Sequence, residues 1–363
     1  MSGLANGDQV EPHAENGTIG IAVIGCGGIG QTHARAAREI PGARLVGVSS
    51  RDEAKARKIA ELEGCRFTTD PATLFADPEV GLVSIATSSG SHAPLALAAI
   101  AAGKHVLVEK PLAMTSDEGR QVIAAAAVRG RTVSVVSQRR FEETFRVVAD
   151  AVAAGALGRL LLIEATCPYF RAQSYYDLAA WRGTVADDGG ALMNQGIHLV
   201  DLMLWVGGRA RRVTAQTATQ MHRMEAEDIA AAVINFENGA LATLLASTNL
   251  APGFPHALNV YGERGCVRTE GGLVTHWGIA DVAPPQAPPA AAGTASPGGA
   301  FWSLAQHRAQ MADVVAAIRE HRAPAITAED GLRALALCEA VYRSAQRQLP
   351  VDLIEPDEAA PVP

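Results

Sequence analysis

Short apolar runs alternate with longer stretches of helical spacing through the first 140 residues. Ile19 to Ile24 is a β-rich apolar run, and Gln31 to Ile40 spaces its apolar positions as a helix does. The pattern repeats as strand Arg44 to Val48 with helix Glu53 to Glu63, then strand Val80 to Ala86 with the alanine-rich helix Leu95 to Ala102. Strands His105 to Val108 and Thr132 to Ser137 follow. Strand–helix alternation of this kind predicts a doubly wound parallel sheet. After helix Phe145 to Ala154, ended by Gly155, the texture changes to strands in succession: Leu160 to Cys167, Val213 to Thr219, Ile229 to Phe236 and Ala240 to Ser247. Glu237-Asn238-Gly239 joins the last two as a hairpin turn. Such an order predicts a large, mainly antiparallel open sheet.

The predicted fold class is therefore α/β: a Rossmann doubly wound parallel sheet over 19–140 and an α/β domain with that second sheet over 141–355. Residues 1–18 and 356–363 read as a flexible N-terminus and a tail. The proline- and alanine-rich segment 270–300 reads as a flexible surface loop. Helices Ser303 to His321 and Ala328 to Gln348 close the chain, the first expected to pack on the Rossmann domain.

Composition narrows the classes. A chain of 363 residues with 48% hydrophobic and 19% charged residues suits a soluble two-domain enzyme. A net charge of −7 without a basic stripe speaks against nucleic acid. No apolar run reaches membrane-spanning length, and Met1 to Asn16 lack a signal-peptide pattern. The five cysteines are scattered, with no CxxC pair, as in a reducing compartment; a cytoplasmic location is expected. The ten histidines are dispersed, with no HxxxH or HxH, so no metal is expected.

The candidate chemistry begins at Gly25-Cys26-Gly27-Gly28-Ile29-Gly30, a GxGxxG between a strand and a helix. Gly25 makes the tight turn, Gly27 lets a pyrophosphate approach, and Gly30 lets the helix pack close to the strand. At the end of the second strand, Ser50 and Arg51 favour NADP over NAD, because they can receive a 2′-phosphate that a carboxylate would repel. Asp52 is either the ribose acid of a turn shifted by one residue or, in the preferred reading, the N-cap of the following helix. Thr87, Ser88 and His92 lie beyond the third strand, and Glu109-Lys110-Pro111 beyond the fourth, where ligands of open α/β sheets bind.

In the second half, Gly189-Gly190 opens a predicted helix on which Asn194 and His198, four positions apart, share a face. The loop with Tyr169, Tyr176, Trp181 and Arg182 mixes aromatic and polar groups suited to a sugar or polyol. An anchoring role for Trp181 in the core is the competing reading.

The GxGxxG, the stretch Ala102 to Pro111 and the Gly190 to Asp201 stretch together resemble the Gfo/Idh/MocA oxidoreductases, the glucose–fructose oxidoreductase and inositol dehydrogenase family. The resemblance implies that Lys110 and His198 flank a reacting hydroxyl, with Trp181 and Arg182 near nicotinamide and substrate. Glu109 and Gln138 complete the expected cofactor contacts, and one face of the second sheet is expected to form a homodimer or homotetramer. Family members similar to inositol dehydrogenase carry aspartate where this chain has Asn194, which orients a hydroxyl but accepts no proton. His198 is then the general acid/base, its pKa expected near the working range. Asp201 either orients the imidazole or serves as a cap or surface residue. The expected activity is NAD(P)-dependent oxidation or reduction of a sugar, sugar derivative or polyol. The alternatives are an NAD-retaining glycosidase-like enzyme and a non-catalytic cofactor-binding regulator.

Overall fold

The computed structural model describes residues 17–285 and 304–353. Six apolar runs form one parallel sheet: β1 (Ile19–Ile24), β2 (Ala43–Ser49), β3 (Arg66–Thr68), β4 (Leu82–Ile85), β5 (His105–Val108) and β6 (Val133–Val135). Their order, β3-β2-β1-β4-β5-β6, reverses direction between β1 and β4, and the loops beyond those two strands face one crevice. The strands alternate faces. Ile21 and Val23 pack beneath α1 (Gly28–Arg38) and α2 (Glu53–Glu63), whereas Ala22 and Ile24 join the core beneath α4 (His92–Ala101) and α5 (Ser116–Arg129). A short helix, α3 (Pro71–Phe75), lies between β3 and β4.

Past α6 (Glu143–Ala153), the second sheet runs β13-β12-β11-β7-β10-β9-β8-β14. Its strands are β7 (Leu160–Pro168), β8 (Ala210–Ala218), β9 (Ile229–Phe236), β10 (Leu241–Ser247), β11 (Ala257–Gly262), β12 (Gly265–Glu270), β13 (Leu273–Ile279) and β14 (Val351–Asp352), with a short helix, α7 (Gln173–Asp177), after β7. All neighbours are antiparallel except the β7–β10 pair. One face is covered by α8 (Ile197–Gly207) and α10 (Ala328–Arg347), against which Ala230, Ala232, Ile234 and Phe236 are buried. On β9 the alternate positions Ala231, Val233 and Asn235 are exposed on the other face. The helix α9 (Leu304–Glu320) returns to the first sheet: Met311, Val314 and Val315 enter the core beside α1, and Gln310 donates to the Val135 carbonyl at 2.8 Å.

Two expectations need correction. Strand β13 occupies Leu273–Ile279 inside the segment read as a flexible loop, whose composition is dominated by the prolines further on; residues 286–300 of that loop lie outside the described residues, as do 1–16, 301–303 and 354–363. The stretch after Gly190 is not one α-helix. Ala191–Gly196 form a π-helical turn, and α8 starts only at Ile197. The cause is the packing beneath it: the Ala191 N–H donates to the Glu227 carbonyl and the Leu192 N–H to the Glu227 carboxylate, both at 2.9 Å. The Met193 N–H reaches the Tyr342 hydroxyl at 3.2 Å. Backbone donors at the start of the turn thus find partners outside it. A Cβ on Gly190 would collide with the Glu227 carboxylate, so only glycine admits that approach.

Burial pushes the Glu227 carboxyl up to about 7. A carboxyl raised in the folded chain stabilises it fully below its ordinary value of 4.5, and that stabilisation is lost as pH rises through about 7. Glu227→Gln is expected to flatten the pH dependence of the urea midpoint between those two values; an unchanged slope would count against a raised Glu227.

Candidate active site

The glycine-rich turn is built as its spacing requires. Gly25 adopts φ +107°, and a Cβ there would collide with the Ala86 carbonyl; a Cβ on Gly30 would strike the Gly25 carbonyl. Gly27 and Gly28 are exposed, a Cβ on Gly27 would meet open space, and no side chain caps α1. The first N–H groups of α1 are therefore free for an anion, and the helix dipole favours one. At the end of β2, Asp52 caps α2 by accepting from the Lys55 N–H at 3.1 Å, and its own N–H donates to the Ser50 hydroxyl at 3.2 Å. Arg51 is exposed.

Lys110 leaves the end of β5 and crosses to the second half. Its ammonium donates to the Asn194 carbonyl at 2.7 Å and to the Asn194 Oδ1 at 3.3 Å. The Asn194 amide donates in turn to Asp188, whose other oxygen accepts from the Gly183 N–H at 2.7 Å. Lys110, Ser137, His198 and Asp201 line one small cavity. Burial pulls the Lys110 pKa down from the ordinary lysine value, while the Glu109 and Asp188 carboxylates act in the opposite sense.

No hydrogen bond joins the His198 ring to another described residue, and the side chain is partly exposed. Its surroundings depress its pKa well below the usual histidine value, first through burial and then through the charges of Lys110 and Arg139. This corrects the expectation of a pKa near neutrality: the imidazole is neutral and presents a lone pair. Asp201 does not orient it. The Asp201 carboxylate is buried and receives two bonds from Arg140, at 2.8 and 2.6 Å, and the Arg140 guanidinium also pairs with Asp330 at 3.3 Å.

Several other expected site residues belong to the fold instead. Glu109 is buried and accepts from His33 at 3.1 Å, with His307 at 3.7 Å; despite burial, these two histidines hold its carboxyl well below the usual range. This trio also corrects the reading of the histidines as dispersed, since chain distance hid a cluster able to ligate a metal. His92 is buried between the carbonyls of Pro111, at 2.7 Å, and Thr87, at 3.3 Å. It fixes the two crevice loops rather than facing a cofactor. The Tyr176 hydroxyl is buried against the Thr248 hydroxyl at 2.7 Å, which removes it from substrate contact.

Thr87 and Ser88 lie half-buried in the loop past β4, Thr87 accepting from Ser91 at 2.7 Å. Gln138 is buried with its amide oxygen unpartnered among the described residues. Tyr169 meets His256 at 3.1 Å. Trp181 and Arg182 are half-buried, with the guanidinium 4.6 Å from the Trp181 ring centroid. The sequence reading passed over Asp188, Gln195, Arg139 and Arg171. An acid directly before Gly189-Gly190 and an arginine inside the aromatic loop were the available signals.

Fold and site together define a dinucleotide-binding oxidoreductase architecture. Residues 19–137 match an oxidoreductase family with an NAD-binding Rossmann fold, residues 145–268 the GFO/IDH/MocA C-terminal domain, and residues 303–353 the oxidoreductase-family C-terminal alpha/beta domain. The chain belongs to the Gfo/Idh/MocA oxidoreductase family. It is 32% identical to inositol 2-dehydrogenase 2 of Saccharopolyspora erythraea over 69% of this chain and 73% of that one. Against D-apiose dehydrogenase of Paraburkholderia graminis, identity is 27% over 94% of this chain and 91% of that one. The crystal structure of the WlbA dehydrogenase from Bordetella pertussis, in complex with NADH and UDP-GlcNAcA, superposes with a TM-score of 0.83 at 29% identity, covering 93% of this chain and 99% of that one.

Because Lys110 is the largest single charge depressing His198, Lys110→Met is expected to raise the His198 titration midpoint, followed by histidine-resolved NMR. A midpoint that stays put would show that burial alone holds the ring neutral.

Proposed function

We propose that this chain is an NAD(P)-dependent oxidoreductase moving hydride between nicotinamide and a hydroxyl or keto carbon of a sugar, sugar derivative or polyol. One observation carries the reading: an ammonium from the end of β5 and an unbonded neutral imidazole from the first turn of α8 line the same cavity beyond the strand ends. The cofactor, when bound, supplies the hydride acceptor or donor. In the oxidative direction the neutral His198 ring takes the hydroxyl proton, and Lys110 stabilises the alkoxide-like oxygen left behind. Asn194 orients the hydroxyl and, through its carbonyl, aims Lys110. Relatives named as dehydrogenases of inositol and apiose support the sugar or polyol class.

For the cofactor, Gly25, Gly27, Gly28, Ile29 and Gly30 cradle the pyrophosphate. Asp52 is engaged at the cap of α2, which leaves Ser50 and Arg51 to receive a 2′-phosphate and supports NADP over NAD. The open face of the second sheet, with Leu161, Val233 and Leu241 exposed, supports a homodimer or homotetramer through that face.

Fluorescence titration with NADPH and NADH is expected to show tighter binding of NADPH. Equal or tighter NADH binding would remove the role given to Ser50 and Arg51, and binding of neither would remove the oxidoreductase reading. Lys110→Ala and His198→Ala are each expected to lower kcat by about 10²–10⁴-fold with cofactor affinity retained. Val233→Asp is expected to convert the oligomer to a smaller species in light scattering; a protein already monomeric would refute the interface.

A further inference from the structure

Three buried side chains converge where β5 ends. His33 comes from α1, Glu109 directly follows β5, and His307 stands in the first turn of α9. The His33 Nε2 lies 3.1 Å and the His307 Nε2 3.7 Å from one oxygen, Oε1 of Glu109. The three ligand atoms all lie within 4.8 Å of one another. Among the described residues no other three histidine, cysteine or carboxylate groups gather in this way.

The spacing suits a coordination shell. Ligand atoms about 2.0–2.1 Å from a tetrahedral zinc stand about 3.3–3.4 Å apart, and the two distances to Glu109 fall on either side of that value. Two imidazole nitrogens and one carboxylate oxygen suit Zn²⁺, whereas Mg²⁺ and Ca²⁺ take oxygen sets. The outer contacts are also in place. The His33 Nδ1 is 2.7 Å from the Ser84 hydroxyl. With a metal on Nε2 the ring proton sits on Nδ1 and donates to that hydroxyl, so the tautomer a metal requires has its partner. The second Glu109 oxygen accepts from the Lys110 N–H at 3.2 Å, which orients the carboxylate and leaves Oε1 to face the rings. His307 is held from both sides of its own turn: Arg308 donates to Glu39 on α1 at 2.8 Å, and Gln310 to the Val135 carbonyl at 2.8 Å. The three ligands thus stand on elements already fixed in place.

We infer that His33, Glu109 and His307 bind a divalent transition metal, with zinc the expected ion, and that it fastens α9 to the first sheet. Three protein ligands leave one tetrahedral position for a water. Without the ion, the two rings hold the carboxylate by hydrogen bonding; with it, the Nε2 of each ring offers a lone pair instead. The bound ion lessens the negative charge that Glu109 presents to Lys110. No step of the hydride transfer proposed above runs through it, and the inference stands apart from that reading.

The test is elemental analysis of the full chain, expressed without a histidine tag in zinc-supplemented medium and passed through gel filtration. About one zinc ion per chain is expected. Growth with cobalt in place of zinc is expected to give the visible absorption bands of tetrahedral cobalt. His307→Ala is expected to lose the metal and the bands with its circular dichroism unchanged, whereas His276→Ala, at an exposed histidine, retains both. Ser84→Ala is expected to weaken zinc about 10–100-fold in competition with a chromophoric chelator. A strong chelator is expected to lower the melting temperature of the wild type and not that of His307→Ala. A wild-type protein that carries neither zinc nor cobalt would overturn the inference. So would metal retained by His307→Ala, metal lost from His276→Ala, or an unchanged affinity in Ser84→Ala, since each places the ion elsewhere. If His307→Ala does not fold, the wild-type metal content, the cobalt bands and Ser84→Ala decide.

Discussion

The 2.7 Å bond from the Lys110 ammonium to the Asn194 carbonyl joins the end of a strand in the first sheet to the π turn of the second half. Neither half makes the site alone. The parallel sheet supplies a crevice and a lysine; the second sheet supplies the turn that receives it and the helix that carries His198. The π turn makes the meeting possible because its early N–H groups are satisfied by Glu227 and Tyr342 from beneath. That frees the following residues from a strict α-helical repeat. The start of α8 is fixed separately by Arg140, whose guanidinium bonds Asp201 and Asp330 and so ties that helix to α10. An ion pair so buried costs desolvation to form, but removing one partner would strand the other charge, by roughly 3–5 kcal/mol. It therefore locks the helix in one position.

Much of the architecture was legible because it is local. The GxGxxG, the strand–helix repeat and the Asn-Gly hairpin each follow from residues close in sequence, and each stands where periodicity put it. Lys110, Asn194 and His198 stood out as candidates because strand ends and glycine-opened helices are places where side chains meet ligands, and the structure does bring Lys110 to Asn194 and to the cavity that His198 lines. What failed was of another kind. His92 and Tyr176 look like site residues in a string, yet both are buried with their polar atoms satisfied. Burial is a property of the assembled layers, and no local pattern carries it.

The same reason explains the histidine cluster and the two arginines near Tyr175. His33 and His307 are separated by most of the chain, and α9 brings them together only by folding back on α1. Arg171 and Arg182 stand on either side of Tyr175, yet their stacking on that one ring depends on the path of the loop after β7. The π turn was hidden as well, because Glu227, which receives its first N–H groups, lies 35 residues from Leu192 in sequence yet within hydrogen-bond reach in space.

Charge in the site is arranged from both sides of Lys110. Behind it, Glu109 is buried yet kept ionised by the hydrogen bonds of His307 and His33. That fixed negative charge opposes the effect of burial on Lys110 and favours its ammonium form. In front, the ammonium acts on His198, whose neutral state is what a proton acceptor requires. Burial is the first cause of that neutral state, the Lys110 and Arg139 charges add to it, and the Glu109 carboxylate opposes it. The two sides of the lysine thus act in opposite senses: the carboxylate behind it favours charge on Lys110, and burial with the Lys110 charge in front disfavours it on His198.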